Sequence, residues 1–239
     1  LEGGVMWQKA VKKTLFTLNL DPEKYKPITD LTYPFMKGYA KKIGAEFYEI
    51  KERKFLEAKS PTYEKVQVYQ LAQEMENDWN IFMDADTLVH PDTMDLTNFL
   101  SKDTVLHHGS DLAVFRWKYD RFLLRDGRNI GSCTWLNIAS DWCIDLFKPL
   151  DDMTLEEAEN SVFPLTVELL RGVEGWRLIE DFVFSRNIAK YGLKFISIID
   201  LLKNKFDFPS HELFWHTYMT PIEIKVIELK SKMSAWRLL

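Results

Sequence analysis

The 239-residue chain has few cysteines, no long basic runs and no long apolar runs. Cys133 and Cys143 are its two cysteines, with no C-x-x-C spacing. That excludes a disulfide framework or a redox pair and predicts two reduced thiols in a cytoplasmic or cytosol-facing domain. No run of Lys and Arg exceeds two residues and the net charge is −5, so nucleic acid is not expected as the main partner. No apolar stretch is long enough to span a bilayer, so no transmembrane segment is expected. Leu1 to Val5 lacks the charged start and apolar body of a secretory signal. Residues 1–13 read as an N-terminal extension or an expression remnant. There is no internal repeat, no low-complexity segment, and no glycine in Asn19-Leu20-Asp21-Pro22.

What is abundant is core material. The chain is 46% hydrophobic and 14% aromatic, enough for one large domain with a buried interior. Lys13 is followed by the apolar run Thr14 to Leu20, a first strand that Asp21-Pro22 stops. A helix is expected from a cap at Thr29 or Asp30, with Phe35, Met36, Tyr39, Ala40 and Ile43 at helical spacing and Gly44 ending it. Ala45 to Ile50 alternates as a second strand. Ser60-Pro61 opens a second helix, Pro being favoured in the first turn. Asn77-Asp78 breaks it before the buried run Ile81-Phe82-Met83. Strand–helix–strand–helix–strand is the pattern of a parallel sheet with crossovers.

The second half is less regular. Thr93 to Leu100 reads as a short helix, and Thr104 to Leu106 and Leu112 to Phe115 as short strands. Arg116 to Arg128, rich in charges and aromatics, reads as a ligand-facing loop. Cys133 to Ile138 is expected to be a strand, and Ser140 to cap a helix to Phe147. Thr154 and Glu157 have capping-box spacing, and Pro164 is expected to break or kink that helix. A helix follows Glu180-Asp181 as far as Lys190, then a last strand, Leu193 to Ile199. Pro221 opens an amphipathic C-terminal helix.

One stretch stands apart from folding needs. The strand ending at Met83 runs straight into Asp84-Ala85-Asp86. Strand alternation puts the two carboxylates on one side, at the strand end where open α/β sheets bind ligands. Like charges so placed call for a cation. A hard divalent ion such as Mg²⁺ or Mn²⁺ serves, usually with phosphate oxygens completing its shell.

With these residues in view, the chain resembles the GT-A-fold glycosyltransferases, which use nucleotide-sugar donors. Met83-Asp84-Ala85-Asp86-Thr87 is similar to their Asp-any-Asp signature. Tyr63-Glu64-Lys65 resembles their segment with a basic residue facing the nucleotide. Asn129 to Asn137 with Ser140-Asp141-Trp142 resembles the segment passing the donor sugar and acceptor. Ile179-Glu180-Asp181-Phe182 with Tyr191-Gly192-Leu193 resembles their acidic helix start and glycine turn. The resemblance spans about residues 14 to 218. It implies a single α/β domain with a mostly parallel Rossmann-like sheet flanked by helices. Residues 14–100 would form the nucleotide-binding half and 101–218 the acceptor-binding half. Residues 219–239 would be a C-terminal helix, from which a longer multidomain chain could continue.

The resemblance also implies roles. Asp86 would bind the metal and Asp84 the ribose or the metal's waters, with Ala85 between them at the nucleotide sugar. His216, preferred to His211, would complete the coordination. Thr17, Leu18 and Asn19 would line the base pocket, with Lys65 facing the nucleotide. Glu180 or Asp181 would face the acceptor hydroxyl and, in an inverting enzyme, act as general base. The cofactor would be Mn²⁺ or Mg²⁺, neutralising the departing diphosphate. The partners would be a nucleotide-sugar donor, UDP-linked by preference, and a glycan, glycoprotein or other hydroxyl acceptor. Trp135 and Trp176 could stack on sugar faces, though core packing is the commoner role.

Two other enzyme classes share features. Asp84-Ala85-Asp86-Thr87 also suits a haloacid-dehalogenase-like phosphatase, with Asp84 as nucleophile. That motif normally lies on the first strand, and the later Gly-Asp-any-any-any-Asp motif is missing. A sugar-nucleotide pyrophosphorylase needs a glycine-rich first loop. A domain that binds sugar nucleotide without transfer is the non-enzyme alternative.

Overall fold

The computed structural model describes residues 10–107, 134–162, 170, 172, 174–206, 212–217 and 220–239. Its centre is a six-stranded sheet in the order β2-β1-β3-β6-β5-β7. The strands are β1 (Lys13–Leu18), β2 (Ala45–Ile50), β3 (Trp79–Met83), β5 (Thr104–His107), β6 (Leu136–Ser140) and β7 (Lys194–Ser197). β1 pairs parallel with β2 and β3, and β5 parallel with β7. β6 alone among the six runs antiparallel, between β3 and β5. The sheet is therefore mostly parallel, as expected.

Alternation along the strands divides the core. Phe16, Phe82, Val105 and Ala139 face one layer, packed by Tyr63, Leu146, Phe147, Phe182 and Phe184. Their neighbours Leu15, Ile81, Leu106 and Ile138 face the other, packed by Met36, Tyr39, Leu201 and Leu202. Parallel strands covered on both faces bury nearly every residue, and β3 is buried throughout. Cys143 is a buried free thiol in the first layer, pushed up to about 11 by burial. Among the described residues, no helix is long and apolar enough to cross a membrane.

Helix α1 spans Pro22–Lys42, starting well before Thr29. Asp21 caps it, accepting from the Lys24 amide at 3.1 Å, and Pro22 sits in its first turn. The pair that stops β1 thus starts the helix, and Pro27 and Pro34 lie inside it. Gly44, at φ +69°, turns the chain into β2. After Ser60 the chain forms a 3₁₀ segment, Pro61–Gln67, that continues into α2 (Val68–Glu74). The expected helix at 93–100 is a 3₁₀ turn over Leu96–Phe99. Ser140 caps a 3₁₀ segment, Asp141–Phe147.

Thr154 and Glu157 form the expected capping box at α3 (Leu155–Asn160). Helix α4 (Ile179–Tyr191) has Glu180 and Asp181 in its first turn and ends at Gly192, φ +65°. The last expected strand is shorter than read: β7 stops at Ser197, and Ile198–Phe206 forms α5. Helix α6 (Ile222–Ala235) places Leu229 and Met233 against Ile28 of α1 and Leu88. The strand read at 112–115, the loop at 116–128, the segment 129–132, Cys133, Pro164 and His211 lie outside the described residues.

Two further strands form a separate ribbon. β4 (Thr87–Val89) pairs antiparallel with β8 (Phe214–His216), with Thr87 opposite His216.

Candidate active site at the strand ends

From β1 the chain moves to β2 on one side and then to β3 on the other. The strand order therefore reverses between β1 and β3, the place where open α/β sheets bind ligands. A cavity of about 800 Å³ opens there. Leu18 and Asn19 line it from the end of β1, and Asp84, Ala85 and Asp86 from the end of β3. Lys65, Glu180, Asp181 and His216 line it as well. Thr17 does not. It is fully buried within β1, one residue before the chain reaches the cavity.

The two aspartates meet through a turn, and strand alternation is not the cause. β3 ends at Met83. The Asp84 amide donates to the Trp135 carbonyl at 2.9 Å, and the Asp84 carbonyl accepts from the Thr87 amide at 3.0 Å. Thr32 of α1 donates to the Ala85 carbonyl at 2.6 Å and fixes the middle of the turn. The ribbon then delivers His216. Its Nε2 lies 3.2 Å from Asp86 Oδ1 and 3.6 Å from Asp84 Oδ2. Trp135 stacks flat on its ring, centroids 5.0 Å apart and planes 4° apart.

Each carboxylate also has a lysine. Lys65 is 2% exposed, and its ammonium lies 2.8 Å from Asp84 Oδ1 and 3.7 Å from Glu180 Oε1. It donates to the Thr134 hydroxyl at 3.2 Å and sits 5.3 Å from the Phe82 ring centre. Asp86 Oδ2 contacts the Lys225 ammonium and accepts from the Thr217 hydroxyl at 3.1 Å. Glu180 is 7% exposed, and its Oε2 accepts from Thr62 at 2.6 Å.

These contacts decide the charges. Burial works against every ion in the site, and pairing reverses its effect except at Glu180. Burial opposes the imidazolium, but Asp86 and Asp84 push His216 up to about 9. Burial opposes ionised Asp86, yet His216 and Lys225 hold it below the usual carboxylate range. Asp84 is likewise lowered against burial, by Lys65 and then His216. Lys65 is raised despite burial because Asp84 and Glu180 face it. At Glu180 burial wins, with Asp181 adding repulsion, and the carboxyl is pushed up to about 7.

The donor set fits a divalent cation. One ligand atom from each of Asp84, Asp86 and His216 lies within 4.8 Å of the others. Ligands about 2.1 Å from a shared ion would stand about 3–4 Å apart. The imidazole must lose its proton to bind, so uptake of an ion would release it.

The architecture is that of the GT-A-type glycosyltransferases. The chain is similar to a glycosyltransferase involved in the glycosylation of the major capsid of PBCV-1. The TM-score is 0.52 at 12% identity, over 92% of this chain and 98% of that one. Mouse xyloside xylosyltransferase 1 gives 0.49 at 8% identity, over 88% and 99% of the two chains. The catalytic domain of Drosophila β1,4-galactosyltransferase 7 gives 0.44 at 14%, over 87% and 71%. At such identities the likeness is one of fold. No family model and no curated protein sequence matches the chain.

Sequence reasoning missed Lys225 and Thr217. A lysine on an amphipathic helix carries no signal of its own, and only the packing of α6 on α1 brings it to Asp86. Thr62 was missed too, although Ser60-Pro61 marked the helix start that positions it.

Proposed function

We propose that the protein is a hexosyltransferase-type enzyme. It moves a sugar from a nucleotide-diphosphate sugar, UDP-linked by preference, to a hydroxyl of a glycan, glycoprotein or similar acceptor. The observation carrying this reading is the convergence of Asp84, Asp86 and His216 at the strand-order reversal of a glycosyltransferase fold. The ion would be Mn²⁺ or Mg²⁺. The imidazole weighs toward Mn²⁺, because Mg²⁺ sites are built from oxygen. Bound there, the ion supplies Lewis-acid neutralisation of the departing diphosphate.

The chain's own residues do the rest. Leu18 and Asn19 flank the base and ribose. Lys65 holds Asp84 ionised and oriented. Glu180 is committed to Thr62 and Lys65, so it acts as a positioning residue. Asp181, beside it on the cavity wall, takes the acceptor proton if transfer inverts the anomeric centre. Trp176, half-buried and lining the cavity, offers a ring face to a sugar, with Arg177 5.1 Å from that ring.

A panel of nucleotide sugars incubated with the protein and Mn²⁺ or Mg²⁺ tests the reading. Slow, metal-dependent release of nucleoside diphosphate from one donor is expected. Asp181→Asn should lower transfer about 10²–10⁴-fold while leaving donor affinity intact. Rapid turnover of p-nitrophenyl phosphate, with every donor inert, would support the phosphatase chemistry instead.

A further inference from the structure

Lys65 and Lys225 both neutralise a carboxylate of the Asp84–Asp86 turn, but they are held differently. Lys65 is sealed in the core by Asp84, Glu180 and Thr134. Lys225 stands in the first turn of α6, which packs on α1 outside the sheet. Its ammonium reaches Asp86 Oδ2 and the Thr217 carbonyl, the latter at 2.8 Å, and the residue lines the cavity.

Asp86 is therefore engaged at both oxygens. Oδ1 faces His216, and Oδ2 takes Lys225 and Thr217. A dication at this carboxylate repels an ammonium on the same group, the more so because both side chains are largely buried. A lysine head is a compact charge on a flexible four-carbon stem, so it can leave without moving its helix. The cavity that Lys225 lines is the one in which a diphosphate would meet the ion, since Asp84, Asp86 and His216 line it too.

We propose that Lys225 is an exchangeable counter-ion. It neutralises Asp86 in the metal-free protein, gives up that carboxylate to an arriving divalent cation, and then pairs with the diphosphate the cation holds. The second half rests on the nucleotide-diphosphate reading of the site, and the first half does not. The consequence is a pair of effects of opposite sign. Lys225 competes with the metal alone and assists the metal–diphosphate pair.

The test is a titration of the full chain with Mn²⁺ alone, followed by UDP and GDP at saturating Mn²⁺. Wild type is compared with Lys225→Met and Lys225→Arg. Lys225→Met should bind Mn²⁺ alone about tenfold more tightly, and the favoured nucleotide about tenfold more weakly, an ordinary size for coupling between two sites. Lys225→Arg should return both values toward wild type. Unchanged or weakened Mn²⁺ affinity in Lys225→Met overturns the counter-ion role. Unchanged nucleotide affinity overturns the exchange. Should Lys225→Met fail to fold, judged by its melting curve, Lys225→Gln carries the same two measurements. If neither nucleotide binds Mn²⁺-loaded wild type, the nucleotide reading and the exchange fail together, while the Mn²⁺ titration still decides the counter-ion.

Discussion

The walls on either side of Asp84-Ala85-Asp86 are built differently. The Asp84 wall is continuous with the main core. Lys65 lies on a 3₁₀ segment whose neighbour Glu64 is fully buried. Glu64 accepts from the Lys54 and Phe55 amides at 2.9 and 3.0 Å and from Gln67 at 2.7 Å. The Asp86 wall consists of a ribbon of two three-residue strands and the start of α6. A smaller apolar cluster joins it to α1. One carboxylate is thus fixed by the fold, while the other is fixed by groups that can let go. That division suits the proposed exchange at Asp86, with Asp84 held in place beside it.

Breaking the comparison starts with its most rigid member. Lys65→Met would remove the one cation that, among the described residues, Asp84 and Glu180 share, leaving Asp84 with His216 alone and Glu180 without a charged partner of opposite sign. A loss of roughly 3–5 kcal/mol is expected in urea unfolding, because stranded buried charges are costly. Wild-type stability in this variant would mean that the Asp84 wall is no firmer than the other.

A subtler probe of the same wall is pH. Glu180 is pushed up to about 7, mainly by burial, from an ordinary 4.5. A carboxyl protonated more readily when folded adds stability that is complete below its ordinary value and is lost as pH rises through about 7. Glutamine cannot titrate. The metal-free wild type should therefore lose roughly 3 kcal/mol relative to Glu180→Gln as pH rises from about 4.5 to about 7, with little further change above. Parallel stability profiles for the two proteins would show that Glu180 titrates normally. The smallest effect belongs to the looser wall. Thr217→Val removes one hydrogen bond to Asp86 and should cost about 1 kcal/mol. A cost matching that of Lys65→Met would erase the distinction.

How much of this the sequence disclosed follows the same division. β1, β2 and β3 were legible because apolar runs and alternation are local signals, punctuated by Gly44 and Asn77-Asp78. Asp84 and Asp86 stood out because acidic residues at a buried strand's end do nothing for folding. Their convergence was expected from alternation, and a turn produces it. The start of α1 was misplaced because Asp21-Pro22 serves as both strand stop and helix cap. α5 was hidden in an apolar run that begins as β7. The β4–β8 pairing joins segments distant in the chain and too short to carry a pattern. His216 was preferred through resemblance, whereas Lys225 had neither resemblance nor pattern behind it. The strand that delivers Asp84 is written locally, whereas the contacts of Lys65 with Thr134 and Glu180, and those of Lys225 with Asp86, exist only in three dimensions.

The central claim, that this turn holds the ion for a nucleotide diphosphate, is tested most directly by thermal melting of wild type and Asp86→Ala with UDP or GDP. Wild type should show a rise in Tm that requires Mn²⁺ or Mg²⁺, and Asp86→Ala should lose the metal-dependent part. An equal metal-dependent rise in both proteins would place the ion elsewhere and contradict the account.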